Sequence, residues 1–89
     1  MKTLDELKES SQWKIFRPEM KIRAALYFDE KANTIEEIGI NSGLSEMALA
    51  TSIVSLLRSK EINLDNTGKE PLYFMDPKAK EGFRQLYNN

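Results

Sequence analysis

Two helix-start signals lie eleven residues apart near the middle of this chain, and one glycine separates the segments that they begin. Thr34 and Glu37 have the spacing of a capping box, in which the hydroxyl and the carboxylate each accept a hydrogen bond from a backbone N–H at the start of a helix. Ser45 is a second residue of the type that begins helices. Gly43 between them can adopt the positive φ angle that ends a helix. The spacing therefore predicts a short helix of two turns, with Ile35 and Ile38 on its buried side, then a tight turn and a second helix.

The second helix is predicted to have one buried and one exposed face. Apolar residues recur at helical spacing on the first face, at Leu49, Ile53, Leu56 and Leu57. With successive side chains about 100° apart around the axis, the opposite face carries Met47, Thr51, Ser55 and Arg58. This exposed face is the candidate recognition surface.

Two helices are predicted on the N-terminal side of this pair. Thr3 and Glu6 repeat the capping pattern and begin a short charged helix that ends near Ser11. Pro18 lies where the first turn of a helix tolerates a missing N–H, and a helix is predicted from there to about Lys31. Its inward residues are expected to be Ile22, Ala25, Leu26 and Phe28, with Lys21 and Arg23 facing away from them.

A β-hairpin and a final helix follow. Apolar and polar residues alternate from Ile62, a turn-forming sequence comes next, and a second apolar run covers residues 72–75. Asp76 and Pro77 together form a helix start, and the closing helix is predicted over residues 77–87. Its apolar contacts are expected to be Phe83, Leu86 and Tyr87. The fold class is therefore mostly α with a small β-hairpin, in the order α, α, α, α, β, β, α.

The stretch TIEEIGINSGLSEMALATSIVSLLRSKEI, residues 34–62, resembles the helix-turn-helix of the winged regulators related to the MarR and ArsR families. The segment IFRPEMKIRAALYF resembles the helix that precedes this motif, and GKEPLYFMDPKAKEGFRQLY resembles the wing, second strand and closing helix of those families. The similarity covers residues 13–87 and leaves the N-terminal helix, residues 1–12, outside it. In such motifs the chain often turns from the end of the long helix into the wing at a glycine. This chain has Glu61 at that position, so we expect the turn to be built differently here. The resemblance implies a winged helix-turn-helix fold.

The same resemblance implies a DNA-binding transcriptional regulator that acts as a homodimer on double-stranded DNA. The recognition helix would cover about residues 45–60 and the wing about residues 63–74, and two such helices would enter successive major grooves. The side chains nearest the DNA would be Ser45, Met47, Thr51, Ser55, Arg58 and Lys69. We expect self-association through the closing helix and through residues 1–12, whose apolar stripe is Leu4 and Leu7.

Cysteine and histidine are both absent, which excludes disulfides, zinc fingers, thiol chemistry and histidine-based catalysis. The neighbouring carboxylates of Glu36 and Glu37 diverge around a helix and cannot share a substrate. We therefore expect no enzyme activity, no cofactor and no metal site.

The first ten residues carry five charges and no apolar run approaches the ~18 residues of a membrane helix. These features predict a single cytoplasmic domain, residues 1–89, without a membrane segment.

Charge leaves a second function open. Thirteen basic and fourteen acidic side chains give a net charge of −1, which by itself does not indicate a nucleic-acid binder. Residues 13–28 carry four cations and one anion, whereas residues 29–44 carry one cation and four anions, so a positive face can still form. The alternative is a winged-helix interaction module that docks a protein on Met47, Thr51 and Val54 without specific DNA binding. The target sequence and any effector stay open.

Overall fold

The computed structural model describes residues 3–29 and 31–88, and the side chains of residues 87 and 88 lie outside the described part. Six helices and two strands are formed within it: α1 (Leu4–Glu9), α2 (Ser11–Ile15), α3 (Pro18–Phe28), α4 (Ile35–Ser42), α5 (Glu46–Arg58), β1 (Ile62–Asp65), β2 (Leu72–Met75) and α6 (Pro77–Asn88). The predicted fold class is confirmed, since the chain is mostly helical with one antiparallel hairpin. One short helix, α2, was not predicted.

The extra helix arises because the N-terminal segment breaks at Ser10. The Ser10 backbone is extended, with φ −81° and ψ 159°, and both its N–H and its hydroxyl donate to the carbonyl of Leu7, at 3.0 and 2.7 Å. Side-chain hydrogen bonds of this kind compete with helix continuation. The chain then begins α2, which carries Trp13 into the core.

A single core collects side chains from every helix and from both strands. Its buried members are Leu7, Trp13, Ile22, Ala24, Leu26, Ile38, Leu49, Ile53, Leu56, Ile62, Met75 and Phe83. Leu7 is 0% exposed and Leu4 packs against the same cluster. The expectation that these two leucines form a stripe for self-association is therefore wrong for Leu7, because the domain itself encloses that side chain.

Three further sequence expectations need correction in α3 and α4. The third helix ends at Phe28, not near Lys31, because the following residue, Asp29, has an extended backbone. Phe28 is half-buried against the core as expected, but Arg23 does not simply face away, since it pairs with Glu61. In α4, Ile38 is buried whereas Ile35, predicted to share its inward face, is exposed.

The predicted caps of α4 and α5 are present. Glu37 Oε1 accepts from the Thr34 N–H at 2.9 Å, and Thr34 Oγ1 accepts from the Glu37 N–H at 3.1 Å. The bond from the Thr34 backbone, together with the ammonium of Lys31, holds the pKa of Glu37 below its ordinary value. Gly43 ends α4 with φ 70°, and the Ser45 hydroxyl accepts from the N–H at the third position of α5. The chain bends by 114° between α4 and α5, within the range of helix-turn-helix motifs.

The exit from α5 is built without glycine. Lys60 takes the left-handed conformation, with φ 63°. The Lys60 N–H donates to the Leu57 carbonyl and the Glu61 N–H to the Leu56 carbonyl, at 3.1 and 3.0 Å, which is the hydrogen-bond pattern of a Schellman motif. Left-handed backbone is unfavourable for a residue with a Cβ, so the cap is held by these bonds and by the pairing of Glu61 with Arg23.

The hairpin is anchored at its base and projects at its turn. In its antiparallel register Ile62 pairs with Met75 and Asp65 with Leu72. The Ile62 and Met75 side chains are buried, and Asn33 extends the sheet by exchanging backbone hydrogen bonds with Tyr73. Residues 66–71 form the exposed turn.

The closing helix begins at the predicted cap. Asp76 Oδ2 accepts from the Lys78 N–H at 3.0 Å. Phe83 on this helix is buried in the core as expected, but Leu86 is exposed, and the predicted contact of Tyr87 lies outside the described side chains.

Among residues 3–29 and 31–88, no single helix is long and apolar enough to cross a membrane, and the pair α4 and α5 meets those criteria only jointly, across the 114° bend.

Candidate nucleic-acid interface

The outward face of α5 is exposed along its length. Met47 near its start is 81% exposed and Val54 in its second half is 47% exposed, with Thr51 and Arg58 also exposed. The apolar residues of the opposite face hold α5 against α3 and β1, because Leu49, Ile53 and Leu56 lie in the core. The helix therefore presents one complete side to solvent, as the amphipathic pattern predicts.

Ser55 differs from the other predicted contact residues of α5. It is half-buried, and its hydroxyl donates to Glu19 Oε1 on α3 at 3.2 Å. On a helix, Ser55 lies about 80° around the axis from Met47, whereas Val54 lies only about 20° away. Ala50, also exposed, and Val54 therefore form more of the outward face than Ser55 does. Val54 was predicted from the sequence only for the protein-docking alternative and Ala50 was not predicted, although the helical angle places both beside Met47.

Ser45 lies at the N-terminus of α5 and is exposed. Its oxygen accepts from the Ala48 N–H at 3.3 Å, which leaves the hydroxyl hydrogen able to donate outward. Glu46 follows in the first turn and is exposed. The start of the helix therefore presents one hydroxyl and one carboxylate.

Lys69 lies in the exposed turn of the hairpin. Asp65 at the end of β1 accepts from the hydroxyl and the N–H of Thr67, at 2.6 and 3.1 Å, and these bonds hold the pKa of Asp65 below its ordinary value of 3.8. Asp65 is therefore ionised at neutral pH, and Glu70 adds a second carboxylate beside the lysine. The wing carries mixed charge, with Lys69 at its tip.

Several other cations are engaged by partners inside the domain. Arg23 contacts Glu61, Lys31 contacts Glu37, and Arg84 contacts Glu81 at 2.7–2.9 Å. The Lys21 ammonium lies 5.5 Å from the centre of the Trp13 ring. In contrast, Arg58 and Lys69 form no ion pair with any residue of the described part. The cations available at the outward face of α5 and at the wing are therefore few.

The carboxylates do not assemble into a metal site in the described ranges. Among residues 3–29 and 31–88, no group of three aspartates or glutamates could hold a metal ion. The surface that the fold builds here is a projecting helix and a hairpin rather than a cleft with convergent acids.

Comparison with known proteins supports this description of the fold. No family model matches the chain, and no curated protein matches it. Among solved structures, the chain is similar to the crystal structure of a transcriptional regulator of the MarR family from Silicibacter pomeroyi, with a TM-score of 0.69 and 15% sequence identity. The match covers 91% of this chain and 56% of that one, so the chain spans just over half the length of that regulator. The chain is a winged helix, with the fold found in that MarR-family regulator.

Proposed function

We propose that this domain is a DNA-binding transcriptional regulator in which α5 enters the major groove and the hairpin contacts the flanking backbone. The observation that carries the proposal is the exposed side of α5, which projects beyond a 114° turn. A helix presented in this way fits a major groove about 12 Å wide. Similarity of fold to a transcriptional regulator supports the same function.

The predicted contact residues take different roles in this proposal. Met47 and Thr51 face base edges, and the Ser45 hydroxyl donates to a nearby phosphate. Arg58 approaches the backbone from the end of α5, and Lys69 contacts phosphate or the minor groove from the wing. Ser55 is not assigned to the DNA, because Glu19 already accepts its hydroxyl hydrogen.

The charge of this surface sets the expected strength of its electrostatic binding. A phosphate about 4 Å from Glu46 would meet roughly 1 kcal/mol of repulsion in water. Arg58 and Lys69 oppose this repulsion, since each neutralises a phosphate and releases counterions. These two cations give about two neutralised phosphates for each protomer, so we expect log affinity to fall by only about 1.8 per protomer for each unit of log salt.

The proposed regulator acts as a homodimer. Because Leu7 of the N-terminal helix is buried, we propose that the two copies contact each other through α2 and α6. Ile15 on α2 is 80% exposed and Leu86 on α6 is 76% exposed. Two shallow grooves beside them share Met20 and Arg23 as lining residues, so the surface between α2 and α6 combines these exposed apolar side chains with the Arg23–Glu61 ion pair. Exposed apolar side chains of this kind on a small domain are suited to contact with a second copy.

Selection of duplexes from random sequence, followed by a salt titration, tests the proposed function. We expect a defined motif to be recovered, with log affinity falling by about 0.9 for each phosphate contact per unit of log salt. Arg58→Gln and Lys69→Gln should each reduce that slope by about one contact for each protomer. Lys14→Gln, an exposed cation outside α5 and the wing, is the matched control and should leave the slope unchanged. Failure to recover any motif, with no salt dependence, would contradict DNA binding.

A protein-interaction module is the second candidate, and one observation favours it. Met47 and Val54 give the outward face of α5 an apolar character, while the net charge of the chain is −1. A protein partner would bury that face without needing Arg58 or Lys69. Reversing both charges, with Arg58→Glu and Lys69→Glu, separates the candidates, because it would abolish DNA binding but leave such a protein assembly intact.

A further inference from the structure

The central part of α5 lacks the side chains that read most bases by hydrogen bonding. Residues 46–57 contain no arginine, lysine, asparagine or glutamine. Guanine is most often read by arginine or lysine, and adenine by asparagine or glutamine, through paired hydrogen bonds in the major groove. The middle of this helix therefore cannot make either of those contacts.

The exposed side of the same segment ends in methyl groups. Met47, Ala50, Thr51 and Val54 are all exposed, and their outermost carbon atoms are methyls. On the helix they lie within an arc of about 100°, with Met47 and Val54 near its centre. At 1.5 Å per residue, Met47 and Val54 are about 10 Å apart along the axis, roughly the length of three base pairs.

Thymine is the base whose chemistry matches this surface. Its C5-methyl is the apolar group that a base presents in the major groove, whereas the other base edges there present hydrogen-bond donors and acceptors. A methyl side chain placed against a donor or acceptor leaves that polar group without a partner, which is unfavourable. Against a thymine methyl, the same side chain removes apolar surface from water.

The structure also provides a concave surface at this place. A shallow groove is lined by Ala50, Thr51, Val54, Ser55 and Arg58. Arg58 lies at the C-terminal end of this groove and forms no ion pair within the described part of the chain. In DNA, thymine methyl groups lie close to the phosphate backbone, so they match a groove that has methyl groups with a cation beside them. An apolar protein surface would offer Arg58 no anion. This difference favours DNA as the occupant of the groove.

We infer that α5 selects its target by contacts with thymine methyl groups, made by Met47, Ala50, Thr51 and Val54. The inference rests on the proposed function and names the feature of DNA that the helix reads. It predicts fixed A·T pairs at the centre of each half-site. Specificity there comes from apolar contact, with Arg58 and Lys69 setting position on the backbone.

The test replaces thymine by deoxyuridine, which removes the methyl group and leaves base pairing intact. The probe is a duplex recovered by selection from random sequence, with each thymine of the motif replaced in turn. At the contacted positions we expect affinity to fall about fourfold for each methyl removed. Thymines outside the motif are the control and should tolerate the replacement.

Two substitutions at Thr51 identify the side-chain group that makes the contact. Thr51→Val keeps the methyl and removes the hydroxyl, whereas Thr51→Ser keeps the hydroxyl and removes the methyl. Because Thr51 is exposed, neither change should disturb folding. We expect T51V to keep the sensitivity to deoxyuridine and T51S to lose it at one position. The reverse pattern would overturn the inference for this residue.

The outcomes separate this inference from the proposed function. A recovered motif that binds equally well with thymine and with deoxyuridine would overturn methyl reading and leave DNA binding in place. A recovered motif without fixed A·T pairs would also overturn methyl reading and leave DNA binding in place. Failure to select any duplex would overturn both. Loss of affinity at defined thymines, together with the T51V and T51S pattern, would support the inference.

Discussion

Arg23 on α3 donates from Nε and Nη2 to the two carboxylate oxygens of Glu61, at 2.9 and 3.0 Å. Glu61 follows the left-handed Lys60 at the end of α5 and precedes β1, so this pair ties the base of the wing to the helix that supports α5. The Ser59 hydroxyl donates to the same carboxylate at 2.7 Å. The position of the hairpin relative to α5 therefore depends on one ion pair as well as on the core.

Replacing Glu61 by glutamine should destabilise the domain. The pair is partly buried and bidentate, so we expect Glu61→Gln to lower the free energy of unfolding by about 1–2 kcal/mol. Urea denaturation measures this change. Glu70→Gln is the matched control, because Glu70 is an exposed carboxylate in the wing turn, and it should change stability by less than about 0.5 kcal/mol.

Acid should reduce the difference in unfolding free energy between the native chain and the Glu61→Gln variant. Hydrogen bonding by Arg23, with a further bond from Ser59, holds the pKa of Glu61 below its ordinary value of 4.5. A carboxylate with a lowered pKa in the folded state stabilises the protein above that ordinary value, and the contribution is lost as the pH falls through the folded-state pKa. The stability gap should therefore be constant near neutrality and narrow below pH 4.5. A gap that widened on acidification would contradict this account.

Leu7→Ala should destabilise the domain itself. Leu7 is fully enclosed in the core, so removing its three outer carbon atoms from a buried site should cost about 2–5 kcal/mol of unfolding free energy. Ile15→Ala is the control, since that side chain is 80% exposed and should matter little for folding. A stable L7A protein that had lost only self-association would support the original expectation for the N-terminal helix.

Two glycines should respond to alanine with opposite signs. Gly43 has φ 70°, which an alanine adopts only with strain, so Gly43→Ala should destabilise by about 1–2 kcal/mol. Gly82 lies inside α6 with open space where a Cβ would stand, so Gly82→Ala should stabilise by about 0.5–1 kcal/mol. Thermal and urea unfolding of the two variants check the pair. Changes of equal sign would show that the turn does not impose the left-handed conformation.

Leu86→Lys should weaken the proposed dimer. The substitution places a charge beside the groove between α2 and α6, where a second copy would bury it. We expect sedimentation to show a shift toward monomer, with helicity unchanged because Leu86 is exposed. Met47→Lys changes an equally exposed apolar residue on α5 and should leave the oligomeric state as it was. Equal sedimentation of the native chain, Leu86→Lys and Met47→Lys would exclude this surface as the dimer interface.

The helix starts could be predicted from the sequence because a cap is a local device. Thr34 with Glu37, Ser45 and Asp76 each satisfy backbone N–H groups within three residues, and all three are found in place. The first helix ends at Glu9, close to the predicted end near Ser11, but the helix α2 that follows could not be predicted from periodicity, because five residues are too few to show a helical repeat.

Contacts between distant residues were harder to anticipate. The sequence predicts Ser55 as a contact residue because it is polar and on the outward side of α5, but Glu19 on α3 accepts a hydrogen bond from its hydroxyl. Leu7 is predicted to lie on a self-association stripe because the N-terminal helix has an apolar stripe and lies outside the helix-turn-helix motif, but the core encloses it. In both cases the deciding partner is far away in the sequence, and helical spacing carries no information about it.

The central claim is that the exposed side of α5 and the wing face DNA. The most direct measurement is the change in backbone amide chemical shifts when a selected duplex is added to the isotope-labelled protein. We predict the largest changes at residues 45–58 and 66–71, with little change in α1. Changes confined to α2 and α6, or none in α5 at saturating duplex, would contradict the claim.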